Sequence, residues 1–171
     1  MMREGLAPIV DANSTHLILG TMPGMESLKF QRYYAHGANQ FWQILETVYG
    51  EKIPDHYELR VEFLLHHGIA LWDVLRGADR EGSLDSAIKN ELANDFTALF
   101  ERFPRLRTIG LHGITAAKLF RRHIVFQRGV PIGDLQCTVL PSTSSTPGRY
   151  VKSFEEKMTC WRDFLLRTAT Y

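Results

Sequence analysis

Four short apolar runs, separated by segments whose apolar residues recur every three or four positions, constrain this chain more than any other feature. The runs are His16–Gly20 (HLILG), Ile69–Val74 (IALWDV), Arg107–His112 (RTIGLH) and Gln136–Leu140 (QCTVL). Each is bounded by Gly, Pro or polar residues, as core strands are. Between them Phe41, Ile44, Leu45 and Val48 mark one helical stripe, and Tyr57, Val61, Leu64 and Leu65 a second. Leu92, Phe96, Leu99, Phe100 and Phe103 mark a third; Phe154, Met158, Trp161 and Leu165 mark a last one. That last stripe opens on Ser153-Phe154-Glu155-Glu156, a capping-box pattern. Strands alternating with helices require crossover connections, hence a parallel sheet with helices on both faces. The expectation is an α/β fold: a three-layer α/β/α sandwich with a central, mostly parallel four-stranded sheet. The 171 residues form a single domain, 1–171. Strand order is not encoded in these periodicities.

Composition narrows the function class only a little. With 44% hydrophobic and 23% charged residues, the chain has an ordinary globular balance. A net charge of +1 neither advertises nor excludes nucleic acid, because a local patch suffices. Cys137 and Cys160 carry no CxxC pattern and are too few for a four-cysteine iron–sulfur cluster. They read as reduced thiols of a cytoplasmic protein. The N-terminal stretch lacks a signal-peptide apolar run, and no apolar segment reaches membrane-spanning length.

In open α/β sheets, ligands bind beyond the carboxyl ends of the strands. Three of the four segments that follow the runs are long or polar: GTMPGMESLKFQRYYAHGAN, LRGADREGSLDSAIKN and PSTSSTPGRY. None contains GxxxxGK[ST], GxGxxG or GxSxG, so those phosphate, dinucleotide and nucleophile-elbow chemistries lose support. The seven histidines form no HExxH pattern. His66 and His67 are adjacent, so on a helix they point about 100° apart and cannot jointly hold one metal.

The first of these segments carries the candidates. Pro23 ends the strand, and Gly24 permits a sharp turn that presents backbone N–H groups. Of Tyr33 and Tyr34, one is expected in the core while the other offers a flat face to a planar ligand. Asn39, just ahead of the Phe41 stripe, has two open roles. It fills an N-cap well, or its amide projects into the crevice to hold a water and a substrate group in line.

These residues resemble the uracil-DNA glycosylase superfamily. GTMPG (Gly20–Gly24) and AHGANQFW (Ala35–Trp42) are similar to the GINPG and AHPANRFW stretches of its mismatch-specific branch. YYAHGANQFW, GIALWDVLRGADREGSLDSAIKN and LPSTS are closer to its DNA-deoxyinosine, or hypoxanthine-DNA, glycosylase branch. The resemblance runs from about His16 to Arg167. It implies that Asn39 is the catalytic amide, since Met22 stands where the mismatch-specific branch has its asparagine. It implies that Tyr34 stacks on the flipped base. Gly20, Met22, Pro23, Gly24, Trp72, Asp73 and Asn90 would line the base pocket, and Ser142, Thr143, Ser144 and Arg149 would contact DNA. Gly37 and Ser145 stand where the family usually has proline, which loosens the loop that aims Asn39 and alters the intercalating loop.

The reaction so implied is hydrolysis of the N-glycosidic bond of a deaminated base, hypoxanthine before uracil or xanthine, in a flipped nucleotide. Asn39 would place a water at an oxocarbenium-like sugar. Backbone around Met22–Met25 and polar groups near Trp72 and Asp73 would stabilise the departing purine. Asp73 equally fits a structural acceptor at a strand end, and Asn90 a cap for the next helix. No lysine takes a nucleophile position, so a monofunctional enzyme without metal or organic cofactor is expected. Its partner is double-stranded DNA containing deaminated bases, with no membrane association. It is expected as a monomer, cytoplasmic and nucleoid-associated. Arg121, Arg122 and Arg128 form a small basic group that reads either as a phosphate contact or as ordinary solvated arginines. The rivals are a uracil or mismatch-specific glycosylase, a non-catalytic lesion-binding module, and an enzyme of free nucleosides.

Overall fold

All four apolar runs become strands of one sheet, and alternate residues along them face two separate cores. The structure, a computed structural model, describes residues 1–127, 129–148 and 151–168. In chain order the elements are β1 (Met2–Glu4), β2 (His16–Gly20), α1 (Met25–Phe30), α2 (Phe41–Tyr49), α3 (Tyr57–His66), β3 (Ile69–Asp73) and β4 (Leu75–Asp79). Then follow β5 (Lys89–Ala93), α4 (Phe96–Arg102), β6 (Thr108–His112), α5 (Ile114–His123), β7 (Gln136–Leu140) and α6 (Phe154–Leu165).

The main sheet has the order β3-β2-β6-β7, and every pair is parallel. Ile18, Ile69, Leu71 and Leu140 pack under α2, α3 and α6, against Phe41, Ile44, Leu45, Leu64, Trp161 and Phe164. Leu17, Leu19, Ala70, Ile109 and Leu111 pack on the other side, against Phe96, Leu99 and Phe100 of α4 and Leu119 and Phe120 of α5. The result is the expected three-layer α/β/α sandwich. Each fully buried large side chain contributes roughly 1.5–3 kcal/mol of transfer free energy. Helix α6 lies close to the sheet because β6 carries Gly110 there. A Cβ at that position would fall 2.7 Å from both Leu140 Cδ1 and Phe164 Cζ. The capping box at Ser153 is formed: Glu156 N–H donates to Ser153 Oγ at 3.2 Å, and Ser153 N–H to Glu156 Oε2 at 2.8 Å.

Two sequence expectations change. The segment after β3 is not a plain loop: β4 and β5 form an antiparallel pair, and β1 joins them in a second, three-stranded sheet. Leu92 therefore belongs to β5, and α4 begins only at Phe96, capped by Asp95. Phe96 is buried at the start of α4, whereas Leu92 stands exposed on β5, so the four-residue spacing that joined them in the sequence does not mark one buried face. Nothing in the sequence had marked β1 either. Its partner in space is β4, more than seventy residues away.

An all-parallel sheet brings all its carboxyl ends to one edge. Gly20 pairs with Asp73, and His112 with Leu140. That edge carries the site.

Candidate active site

A cavity of about 570 Å³ opens at this edge, within the range of small-molecule sites. Its walls come from six places in the sequence. The β2–α1 turn supplies Gly20–Met25, and the loop before α2 supplies Tyr34, His36 and Asn39. The strand ends supply Asp73 and His112. The β4–β5 hairpin supplies Ser83, Leu84 and Asp85, and the segment after β7 supplies Ser142 and Ser144–Thr146.

Asn39 stands one residue before Gln40, the N-cap of α2, and lines the cavity. Its Oδ1 accepts the Phe41 backbone N–H at 2.9 Å, so its side chain satisfies the first free donor of α2. The same oxygen accepts the Thr143 hydroxyl at 2.7 Å. The Phe41 N–H can only donate, so the atom it meets is the carbonyl oxygen, and the Thr143 hydroxyl then donates to that same oxygen; the amide nitrogen is the end turned to the cavity. Thr143 is wholly buried and holds Asn39 from behind; it does not lie along a DNA backbone as expected. Its own carbonyl accepts the Gln40 N–H at 2.9 Å, which closes the two loops on each other.

The two tyrosines differ in burial, though both touch the cavity. Tyr33 is buried, its hydroxyl donating to the Ala7 carbonyl at 2.9 Å. Tyr34 is half-buried and lines the cavity. Phe41 stacks on one face of its ring, with centroids 3.7 Å apart and planes 12° apart. Its backbone is left-handed, φ +51°, a conformation that costs a non-glycine residue on the order of 1 kcal/mol. Trp42 Nε1, which donates to the Tyr34 carbonyl at 3.3 Å, helps hold it there.

His112, which sequence reading missed, joins these parts. Its Nδ1 lies 2.6 Å from the Tyr34 hydroxyl, and its Nε2 accepts the Thr143 backbone N–H at 2.9 Å. Burial and then the Lys157 charge push its pKa down to about 4. Lys157, itself buried, donates to Gln40 Oε1 at 2.8 Å and to the Ser144 carbonyl at 3.2 Å. The only sequence trace of His112 was its place at a strand's carboxyl end.

Asp73 and Asp85 give the cavity an acidic wall, anchored by Arg80. Asp73 is 5% exposed, and its Oδ2 has no hydrogen-bond partner among the described residues. Burial, followed by repulsion from Asp85, raises its pKa to about 7, with Arg80 opposing. Gly20 lies directly beneath it: a Cβ there would come within 2.5 Å of Asp73 Oδ1. Arg80, also buried, donates to the Met22 and Pro23 carbonyls and sits 3.5 Å from Asp85. It therefore fixes the turn that the sequence assigned to Pro23 and Gly24. Gly24 needs no glycine-specific angle, at φ −70°; Met25 N–H donates to Ser83 Oγ at 3.1 Å.

Several expected site residues lie elsewhere. Trp72 alternates with Asp73 along β3, so it faces away; its Nε1 donates to the Leu6 carbonyl at 3.2 Å. Asn90 is exposed on β5 and donates to Asp79 Oδ2 at 2.7 Å, neither lining the cavity nor capping α4. Arg122 is committed to Glu91 at 3.1 Å. Arg128 and Arg149 fall outside the described residues.

Comparison with known proteins agrees with this geometry. A hypoxanthine DNA glycosylase of Methanosarcina acetivorans is 37% identical over 158 residues, covering 92% of this chain and 96% of that protein. One of Methanosarcina barkeri is 38% identical over 114 residues, 66% of this chain and 72% of that protein. A solution NMR structure of a proposed uracil DNA glycosylase from Methanosarcina acetivorans superposes with a TM-score of 0.79 at 34% identity. It covers 96% of this chain and 97% of its own. The sequence also matches the profile of the uracil DNA glycosylase superfamily over residues 7–165. With that match, the parallel sheet and a cavity at its carboxyl edge, the chain belongs to the uracil DNA glycosylase superfamily.

Proposed function

We propose that this protein is a monofunctional DNA glycosylase that removes hypoxanthine, the deaminated form of adenine, from double-stranded DNA. The observation that carries this is the shared opening of the Asn39 amide and the Tyr34 ring onto one cavity large enough for a purine. The names of its Methanosarcina relatives support the choice of base.

A base in a duplex is out of reach, so the nucleotide must swing out at a cost of a few kcal/mol, least for a weak mispair. The exposed face of Tyr34 receives the base. Ser142 and Ser144, at the cavity mouth, take the phosphate side of the flipped nucleotide. As the C1′–N9 bond lengthens, positive charge grows on the sugar and negative charge on the purine. An oxocarbenium-like sugar accepts a neutral water, so that water needs a fixed position more than a strong base. Asn39 Nδ2 donates to the water oxygen and leaves its other lone pair free for C1′; once the C–O bond forms, the water's extra proton passes to solvent. Asp73 retains its proton up to about pH 7 and faces the same cavity, so it donates to the departing purine.

Duplexes carrying a single hypoxanthine, xanthine or uracil test the reading directly. Incubation followed by alkali should cleave the hypoxanthine strand fastest. Tight binding without abasic product would refute catalysis. Release from free deoxyinosine but not from DNA would mark a nucleoside hydrolase.

A further inference from the structure

The hydrogen-bond pattern around His112 admits one protonation state. The Thr143 backbone N–H can only donate, and it points at Nε2 from 2.9 Å. Nε2 therefore bears no hydrogen. A neutral imidazole must then carry its hydrogen on Nδ1, 2.6 Å from the Tyr34 oxygen. Nδ1–H donates, and the phenol oxygen accepts. The phenol's own hydrogen is left with no acceptor among the described residues, on a side chain that lines the cavity. The reverse arrangement, with Tyr34 donating to Nδ1, would leave both ring nitrogens bare, an imidazolate. A doubly protonated ring would set two hydrogens against each other at Nε2.

We propose that His112 is a positioning residue: one nitrogen makes the Tyr34 hydroxyl an obligate donor into the cavity, and the other pins the loop that carries Ser142 and Ser144. A phenol hydrogen stays near the plane of its ring. The acceptor it serves therefore lies beside the ring, within the cavity, rather than above the stacking face. A carbonyl or bare ring nitrogen of the extruded nucleotide satisfies it; an N–H does not. The same imidazole holds the Asn39 support, because its Nε2 pins Thr143 by the backbone N–H while the Thr143 hydroxyl gives its hydrogen to Asn39 Oδ1. Residues 34, 112 and 143 are thus one rigid unit, although 78 positions separate Tyr34 from His112 and 31 separate His112 from Thr143. This inference rests on the glycosylase reading for the identity of the acceptor, but not for the tautomer.

Two variants separate the nitrogens. H112N keeps a donor at the Nδ1 position, whereas H112Q keeps an acceptor at the Nε2 position. In single-turnover excision from hypoxanthine duplexes, Y34F and H112Q should each slow the step about 10–100-fold, as expected for one lost hydrogen bond to substrate. H112N should be about tenfold faster than H112Q at saturation, yet need more DNA to reach half its maximal rate. The double variant Y34F/H112Q should be no slower than Y34F alone, within about threefold. Equal losses in H112N and H112Q, or additive losses in the double variant, overturn the proposal. Nitrogen-15 spectra of the wild type at pH 7 should show His112 protonated on Nδ1; a hydrogen on Nε2 overturns it regardless of activity. A wild type that excises nothing refutes the glycosylase reading, and the spectra still decide the tautomer.

Discussion

The orientation of one carboxamide predicts how two substitutions at Asn39 must differ. Its oxygen is engaged by Phe41 N–H and by the Thr143 hydroxyl, so the cavity meets its nitrogen. Asn39→Ala removes the acceptor of the Phe41 N–H, worth about 0.5–2 kcal/mol, and leaves the Thr143 hydroxyl one acceptor fewer. His112 Nε2, 3.1 Å from that hydroxyl, absorbs part of the second loss. The sum is about 1–3 kcal/mol, and for a domain of this size each kcal/mol lowers Tm by about 2–4 °C. Asn39→Asp behaves otherwise. Aspartate accepts both hydrogen bonds as well as asparagine does, so Tm should stay within about 2 °C of the parent. Its cavity-facing atom, however, changes from a double donor to an anionic acceptor. Excision at saturating enzyme should fall by about two orders of magnitude or more, since both N–H donors are lost and a charge faces the phosphates. The assay pairs thermal melts with single-turnover base release at 25 °C, and fluorescence anisotropy confirms that DNA is saturated. An Asn39→Asp variant that excises within about threefold of the parent rate would refute the reasoning. The carbonyl oxygen, not the nitrogen, would then be the working atom.

Other perturbations test the surrounding groups. Asp73 is raised to about 7 from 3.8, so the stability it contributes is full below 3.8 and lost as pH rises through 7, roughly 4 kcal/mol. His112 is lowered to about 4 from 6.5, so its contribution is full above 6.5 and lost as pH falls through 4, roughly 3 kcal/mol. The two slopes oppose each other between about pH 4 and 6.5. Asp73→Asn should therefore expose the His112 slope, and urea titrations at pH 7 and 4.5 should show the variant losing stability more steeply than the parent; parallel losses would refute the pairing. Base release by the parent should decline above about pH 7 as Asp73 ionises, and an unchanged rate at pH 8.5 would remove it as a proton donor. Thr143→Val keeps the buried shape but frees Asn39, so a stability loss of about 1 kcal/mol should accompany roughly tenfold slower excision, measured by melts and single turnover. Lys157→Met removes a charge that depresses His112, so the His112 midpoint, followed by NMR, should rise above about 4.

Local periodicity made most of the scaffold legible. Short apolar runs flanked by breakers located β2, β3, β6 and β7, and a period near 3.6 located α2, α3 and α6. The capping box announced α6 because its bonds join residues only three apart. The hairpin of β4 and β5 was missed because β5 is polar and largely exposed and β4 buries only Leu75, Gly77 and Ala78, too few large apolar residues to mark a strand. Trp72 and Asp73 had to point to opposite faces of β3, but alternation does not say which face holds the cavity.

The amino-acid order alone determined that the sheet is parallel with its working loops at one edge, and that Asn39 and Tyr34 lie together in one of them. Bonds across 104 residues tied Asn39 to the segment after β7, and bonds across 78 brought in His112. Such contacts carry no periodicity, because they arise only when strand order sets β6 beside β2 and folds the segment after β7 over the loop before α2. A chain's local pattern can say what each piece becomes; only the packed sheet says which polar groups meet and, from their obligate donors, which way each hydrogen must point.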